Sequence, residues 1–582
     1  MFGGIRMIKL LKYLKKYKKQ TILGPIFKML EAFFELLVPI AMARLIDIGI
    51  ANQDKSYIYK MGLILVVLAL VGYLSSVTCQ YFASFTSQGF GTELRNALFV
   101  HITTFSHQEI DESGAPTLIT RLSQDIIQLQ LAIAMFIRLA FRTPFIIIGA
   151  TIFAFYIDFK LSLIFLLTTP ALAFCIYLII KLSTPIYKRI QKRLDQVGLI
   201  FRENLTGIRI VRAFSREKAE IKRFNKELEL QKDDAIKVGK IIALNNPLTL
   251  MILNFAIMLI LYQGGIRVNY GELTQGEVLA LVSYLSQILL ALLALSMILS
   301  VFNKAIVSGK RVQEVLDYSV SLKNPITEKE VNINSDHLEF NNVSFKYNKA
   351  ARYVLKNIDF KIKRGAVIGI IGGTGAGKST LVHLISRFYD VSTGKLVIDG
   401  IDVKEHTLKS LRKKVAVVPQ QSTLFSGTIR DNMKLGNPFV TDEEIFKALE
   451  LAQASEFVLN LPNVLNEMVT QGGKNFSGGQ KQRLCIARAL VIKPAILILD
   501  DSASALDFVT DAKLRQAIST IKQEMTVIIV SQRSSSINHC DSIIVLDQGQ
   551  IVGNGKHRDL LEQCQIYKEI CLSQLSQEEV LQ

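Results

Sequence analysis

Apolar residues come in long runs through the first half of the chain and in short ones through the second. A helix needs roughly 20 apolar residues to cross a bilayer core. Residues 61–82, 161–180 and 278–302 meet that condition cleanly, while 21–46, 131–157 and 247–265 meet it with polar or charged interruptions. The pattern predicts six membrane-spanning helices. Residues 83–130 and 181–246 are long, polar and poor in helix breakers, which predicts helices that continue into the cytosol. After Asp336, short β-rich runs alternate with amphipathic helices, as in an α/β domain with a mostly parallel sheet. The expected organisation is an amphipathic elbow helix at 1–20, a six-helix transmembrane domain at 21–310, a linker at 311–337 and an α/β domain at 338–582.

Charge sets the orientation. Lysine and arginine crowd the N-terminal arm and residues 181–240, whereas the loops near Asp47–Tyr57, Asp158 and Arg267–Glu277 show no such excess. Positive loops stay inside, so the N-terminus is expected in the cytosol, and six spans return the α/β domain to the same side. The basic N-terminus lacks a cleavage site and reads as a helix lying on the inner face of the lipid bilayer. The formal net charge of +18 and mean hydropathy of +0.31 fit cytoplasmic loops beside anionic lipid. No basic patch interleaved with aromatics points to nucleic acid. The cysteines Cys79, Cys175, Cys485, Cys540, Cys564 and Cys571 show neither metal-ligand spacing nor a disulfide framework.

The α/β half carries the chemistry. After the apolar strand AVIGII comes GGTGAGKST: Gly372, Gly373, Thr374, Gly375, Ala376, Gly377, Lys378, Ser379 and Thr380. Strand, glycine-rich turn and helix in that order form a phosphate loop, whose backbone N–H groups surround phosphate at a helix N-terminus. Lys378 is placed to reach the β- and γ-phosphates of ATP, and Ser379 to ligate magnesium. A second apolar strand, AILILD, ends in Asp500, a carboxylate suited to the same metal. Between them, Ser477, Gly478, Gly479 and Gln480 open the helix GQKQRLCIARAL, a second anion-binding helix start.

The phosphate loop, the Asp500 strand and FSGGQKQR together resemble the ABC transporter family, and with six preceding spans the resemblance is to exporter half-transporters of the type IV, bacterial multidrug kind. It implies an all-α six-helix transmembrane domain fused to an α/β P-loop nucleotide-binding domain, in a cell membrane. It implies a second ABC half-transporter as partner, with each ATP held between one chain's phosphate loop and the other's Ser-Gly-Gly. It assigns Tyr347 to stacking on adenine, Gln420 to magnesium contact and sensing of the membrane domain, and Ser504–Asp507 to the loop crossing the dimer interface. Residues 110–125 and 203–217 resemble the two intracellular loops whose short helices rest on the ATPase domains.

Two positions depart from the family pattern. Asp501 stands where glutamate usually polarises the attacking water, and Gln532 where histidine usually contacts the γ-phosphate. Aspartate is one methylene shorter, and a misplacement of about 1 Å can cost about a hundredfold in rate. Glutamine can hydrogen-bond but cannot become cationic. The expectation is a degenerate site on this chain, a consensus site completed by its Ser477 on a different partner, and export of drugs or other small amphiphilic compounds. Alternatives are a lipid or peptide exporter, or an ATP-gated regulatory or channel subunit. Lys28, Glu31 and Glu35 share one helical face. Free carboxylates there would favour cationic substrates. The competing expectation is structural pairing, of Lys28 with Glu31 or of these groups with Arg138 and Arg142.

Overall fold

The computed structural model describes residues 9–325, 336–347, 350, 352–502, 505–521 and 525–574. They form two compact units. One runs up to Thr103 and resumes at Pro116–Tyr318; the other comprises Thr104–Ala115 and the described residues from Ser319 onward.

The first unit is helical. Lys55–Thr103, Ala115–Ile157, Phe159–Thr206, Glu217–Asn269 and Gln275–Leu316 are each long and apolar enough to cross a membrane. The sequence predicts a sixth span at 21–46, and helix Lys18–Arg44 has the length for it. It falls short in apolar character because Lys28, Glu31 and Glu35 lie within it. The 49 residues of Lys55–Thr103 rise about 73 Å at 1.5 Å per residue, more than twice a hydrocarbon core of about 30 Å. The expected continuation beyond the bilayer is therefore built into the helix itself. Three π-helical stretches, Leu45–Ile50, Arg121–Asp125 and Phe136–Ala140, interrupt the helices.

The charges within helix Lys18–Arg44 at Lys28, Glu31 and Glu35 are paired. Lys28 Nζ lies 2.6 Å from Glu31 Oε2, and Arg142 Nη2 lies 2.6 Å from Glu35 Oε2. This is the structural pairing anticipated from the sequence, and it leaves neither carboxylate free for a cation. At the opposite end, Asp47 accepts from Thr274 Oγ1 at 2.6 Å and from the Gly276 backbone N–H at 2.7 Å. A Cβ on Gly276 would sit 2.4 Å from the Ala43 carbonyl oxygen, so only glycine permits this approach. Tyr284, fully buried, donates its hydroxyl to the Leu36 carbonyl at 2.6 Å.

Two expectations change. Residues 11–17 form a 3-10 helix that leads into Lys18–Arg44 and packs along Lys55–Thr103, with Lys16 Nζ 2.6 Å from Glu93 and Tyr17 edge-on to Phe85. Lys9 pairs with Asp317 at 3.8 Å. Asp317 lies fifteen residues past the apolar run 278–302, about 22 Å in helix. The N-terminal arm thus runs beside the helices Lys55–Thr103 and Gln275–Leu316. Residues 1–8 of the expected elbow lie outside the described residues. The linker also starts later than residue 311, because helix Gln275–Leu316 continues through it; its residues 326–335 lie outside the described ones.

The second unit holds two main sheets. One runs Leu355–Ile362, Leu338–Phe345, Thr393–Ile398, Ile401–Asp402, all antiparallel. The other is ordered Gln550–Gly555, Ser542–Asp547, Val367–Gly372, Thr526–Val530, Ile496–Asp500, Val415–Val418. It is parallel except for the edge strand Gln550–Gly555. Its central strands are buried at every position, as expected of a sheet covered on both faces. The short helix His107–Ser113 belongs to this unit; Glu109 accepts from the Ser106 and Ser321 backbone N–H groups at 2.5 and 3.0 Å.

Candidate active site

Three neighbouring strands of the parallel sheet bring the chemistry together at their C-terminal ends. Val367–Gly372 leads into the phosphate loop, Ile496–Asp500 ends in the metal-type carboxylate, and Thr526–Val530 lies between them. Ligands of open α/β sheets bind at this edge.

The loop takes its shape from glycine. Gly375 and Gly377 have φ of +82° and +101°, a left-handed region that glycine enters without strain. Gly377 precedes helix Lys378–Ile385, and no side chain caps that helix start. Its free N–H groups are left for an anion. Lys378 bends back over the loop and donates to the carbonyls of Gly372 at 2.7 Å and Gly373 at 2.9 Å. Burial pulls its pKa below the ordinary lysine value, against the opposing pull of Asp501 and Asp500.

Asp500 is buried and hydrogen-bonded to Ser379. Burial pushes its carboxyl above the usual carboxylate range and Asp501 adds to this, opposed by the Ser379 hydrogen bond and by Lys378. A hydroxyl and a carboxylate short of positive charge form an oxygen donor set that suits a hard divalent cation. Asp501 follows with φ of +48°, its N–H donating to the Val530 carbonyl at 2.8 Å. Gln420 Nε2 donates to Asp501 Oδ2 at 3.2 Å. Phosphate loop, Ser379, Asp500, Asp501 and Gln420 therefore form one cluster.

Tyr347 joins from the antiparallel sheet. Its hydroxyl lies 3.1 Å from Thr380 Oγ1, and its ring is edge-on to Phe345 and Tyr389 at 4.9 and 5.2 Å. Gln532 lies two residues beyond Val530 with its side chain exposed, and its backbone carbonyl accepts from Gln574 at 2.7 Å.

Ser477, Gly478, Gly479 and Gln480 stand apart. Ser477 Oγ accepts from the Gln480 N–H at 3.3 Å, and Gln480 Oε1 accepts from the Ser477 N–H at 2.9 Å. This capping box closes the start of helix Gly478–Leu490. A Cβ on Gly479 would lie 3.2 Å from the Ala505 carbonyl, so the turn rests on the loop before Asp507. Ser504 of that loop lies outside the described residues. Among the described residues, no hydrogen bond or ion pair joins Ser477–Gln480 to the phosphate loop.

Sequence reasoning singled out residues 110–125 but missed their partner Tyr389 and the neighbouring His107. Tyr389 donates to Asp111 of helix His107–Ser113, and His107 stacks on Phe388 at 4.1 Å and 17°. A pocket of about 220 Å³ between them is lined by Gln108, Asp111, Tyr347, Tyr389, Asp390 and Ser392. The run Phe388-Tyr389-Asp390 just after the phosphate-loop helix was the available signal. The second short helix, Ile208–Ala213, belongs to the other unit.

Comparison with known proteins agrees with this arrangement. The family profile described as ABC transporter transmembrane region matches residues 21–292, and the profile described as ABC transporter matches residues 355–504. An uncharacterized ABC transporter ATP-binding protein of Mycobacterium tuberculosis is 36% identical over 567 residues, covering 97% of both chains. The uncharacterized ABC transporter ATP-binding protein YfiB of Bacillus subtilis is 35% identical, covering 98% of this chain and 99% of its own length. An ATP-dependent lipid A-core flippase of Desulfotalea psychrophila is 31% identical, covering 89% and 90%. Among solved structures, a bacterial Atm1-family ABC exporter with ATP bound has the same fold, with TM-score 0.77, 24% identity and coverage of 95% and 97%.

Proposed function

Since this chain belongs to the ABC transporter family and has the half-transporter architecture of a multi-pass plasma-membrane exporter, we propose that it is the degenerate-site subunit of a heterodimer exporting amphiphilic compounds. The observation that carries this reading is the pair of Asp501 and the intact Ser477 turn. The binding elements of the chain's own site are complete, while its hydrolytic carboxylate is a short aspartate held in a left-handed turn.

In this reading Gly372–Thr380 hold the triphosphate of ATP, Lys378 exchanging its carbonyl partners for phosphate oxygens. Tyr347 stacks on adenine. Ser379, Asp500 and Gln420 would hold magnesium, which when bound would neutralise phosphate charge. Asp501 holds the attacking water too far from phosphorus for rapid turnover, and Gln532 supplies a neutral hydrogen bond. Ser477 and the N–H groups after it complete the nucleotide site of the partner, where hydrolysis is fast. Closure of the two ATP-binding domains moves the intracellular helices, and the membrane cavity opens outward.

The test is to purify this chain alone and together with its partner, and to compare ATPase rates. Slow turnover alone, fast turnover in the pair and loss of that rate on Ser477→Ala are expected. Brisk turnover of the chain alone, abolished by Asp501→Asn, overturns the degenerate-site reading.

A further inference from the structure

Three cations and two carboxylates meet inside the helical unit. Lys28 holds Glu31, with hydrogen bonds of 2.8 and 2.6 Å to its two oxygens. Arg142 holds Glu35 at 2.6 Å. That leaves Arg138. Among the described residues its one hydrogen bond, from Nη2 to Ser84 Oγ at 3.0 Å, is to a neutral group, and its Nε is buried without a partner. Arg142 Nε is unpartnered as well. These groups form one neighbourhood, since helix Lys18–Arg44 packs against Phe136–Ala140 and Arg142–Ile157. One positive charge is left over.

Its depth is informative. Arg138 lies nineteen residues before Ile157, the outer end of its helix, about 28 Å at 1.5 Å per residue. A hydrocarbon core of about 30 Å puts Arg138 near the cytoplasmic boundary. Arg142, by the same measure about 22 Å in, lies within the inner leaflet. A charge at such a depth normally faces a bundle interior or a water-filled cavity. Arg138 also sits in the π-helical stretch Phe136–Ala140, a distortion that often marks functional sites. Beside it, Phe136 meets Phe141 at 5.4 Å and Phe302 at 6.3 Å, and Phe136 and Phe141 are 38% and 46% exposed.

A guanidinium fork binds phosphate or carboxylate through two parallel hydrogen bonds. We infer that Arg138 is an anion-binding point on the transport path, taking the phosphate or carboxylate head of an amphiphile at inner-leaflet level while Phe136, Phe141 and Phe302 hold its apolar body. This rests on the exporter reading above and narrows its substrate class from amphiphiles to anionic ones. Glu31 and Glu35, already neutralised, keep Lys28 and Arg142 from competing for the same head group.

The test uses the assembled transporter in phosphatidylcholine vesicles. ATP-dependent movement is measured for nitrobenzoxadiazole-labelled phosphatidylglycerol, carboxyfluorescein and the cation rhodamine 6G. Binding of the two anionic probes without ATP is measured in parallel. Arg138→Gln is expected to weaken binding and transport of the anionic probes by at least about tenfold, leaving rhodamine 6G unchanged. Arg138→Lys should retain most of the binding. Glu35→Gln, which releases Arg142, should strengthen it, an outcome that a misfolded variant cannot produce. Preference for phosphatidylglycerol assigns the site to a lipid head group, and preference for carboxyfluorescein to a free anion. Equal loss of all three probes in Arg138→Gln, or undiminished binding of the anionic ones, overturns the proposal. Arg138-dependent binding with no movement of any probe overturns the exporter reading and leaves the site standing.

Discussion

The ATP-binding unit contains two helix starts of the kind that accept anions, and they are finished differently. Lys378–Ile385 opens after a left-handed glycine with no side chain over its first N–H groups. Gly478–Leu490 opens under a complete capping box in which Ser477 and Gln480 satisfy each other. The first is an open receptor beside Asp500, Ser379 and Lys378. The second is closed and, among the described residues, carries no metal-binding carboxylate. An open helix end needs its ligand, whereas a capped one is stable alone and can wait for a ligand brought by another chain. The difference matches the proposed division of labour, in which one end binds this chain's ATP and the other serves the partner.

The contrast is broken most strongly at Ser477. Aspartate caps helices as well as serine does, so Ser477→Asp should leave the thermal transition unchanged. A negative charge facing a phosphate should nonetheless lower steady-state hydrolysis of the pair by about a hundred- to a thousandfold, the scale for losing a transition-state donor. An equal fall in melting temperature and rate would reduce Ser477 to a cap. Next in size, Asp501→Glu restores the missing methylene. Single-turnover hydrolysis at this chain's own site should rise by about a hundredfold, read with labelled ATP while the partner's site is disabled. Lys378→Ala should weaken ATP binding by about ten- to a hundredfold, the worth of a charge-assisted hydrogen bond, measured by titration of a fluorescent nucleotide. The smallest effect is on stability. Asp500 has its folded pKa raised by burial, so its charged form costs stability once the pH rises through that value. Asp500→Asn should therefore melt higher than wild type at neutral pH without ligand. The gain should vanish below the usual carboxylate range, while magnesium-dependent nucleotide binding is lost.

The reach of the sequence differed between these elements. The phosphate loop was legible because left-handed turns demand glycine at fixed positions, and Gly375 and Gly377 sit where the motif puts them. The spans were legible because a bilayer demands length and apolarity together. Lys18–Arg44 blurred that signal, since its charges are neutralised partly across helices, and the pairing of Glu35 with Arg142 depends on rotational settings that one sequence does not encode. Lysines alternating with Leu and Tyr in the N-terminal arm fit a lipid interface and a helix–helix groove equally well, and its partners Glu93 and Asp317 lie far along the chain. The pairing of Tyr389 with Asp111 was hidden for the same reason, the two being 278 residues apart. Ser477 and Gln480 were read as ligand groups, although their Ser-x-x-Gln spacing is itself the signature of the mutual cap.

The two carbonyls that hold Lys378 have a consequence for selectivity. An ammonium already satisfied by its own loop is a poor trap for stray anions. Inorganic phosphate or sulfate must compete with Gly372 and Gly373 without a second anchor, whereas a nucleotide triphosphate anchored at its base and along its chain arrives with its terminal oxygens already in place. The bend of one side chain thereby withholds the ammonium from a small anion, while the uncapped helix N–H groups stay open to the triphosphate.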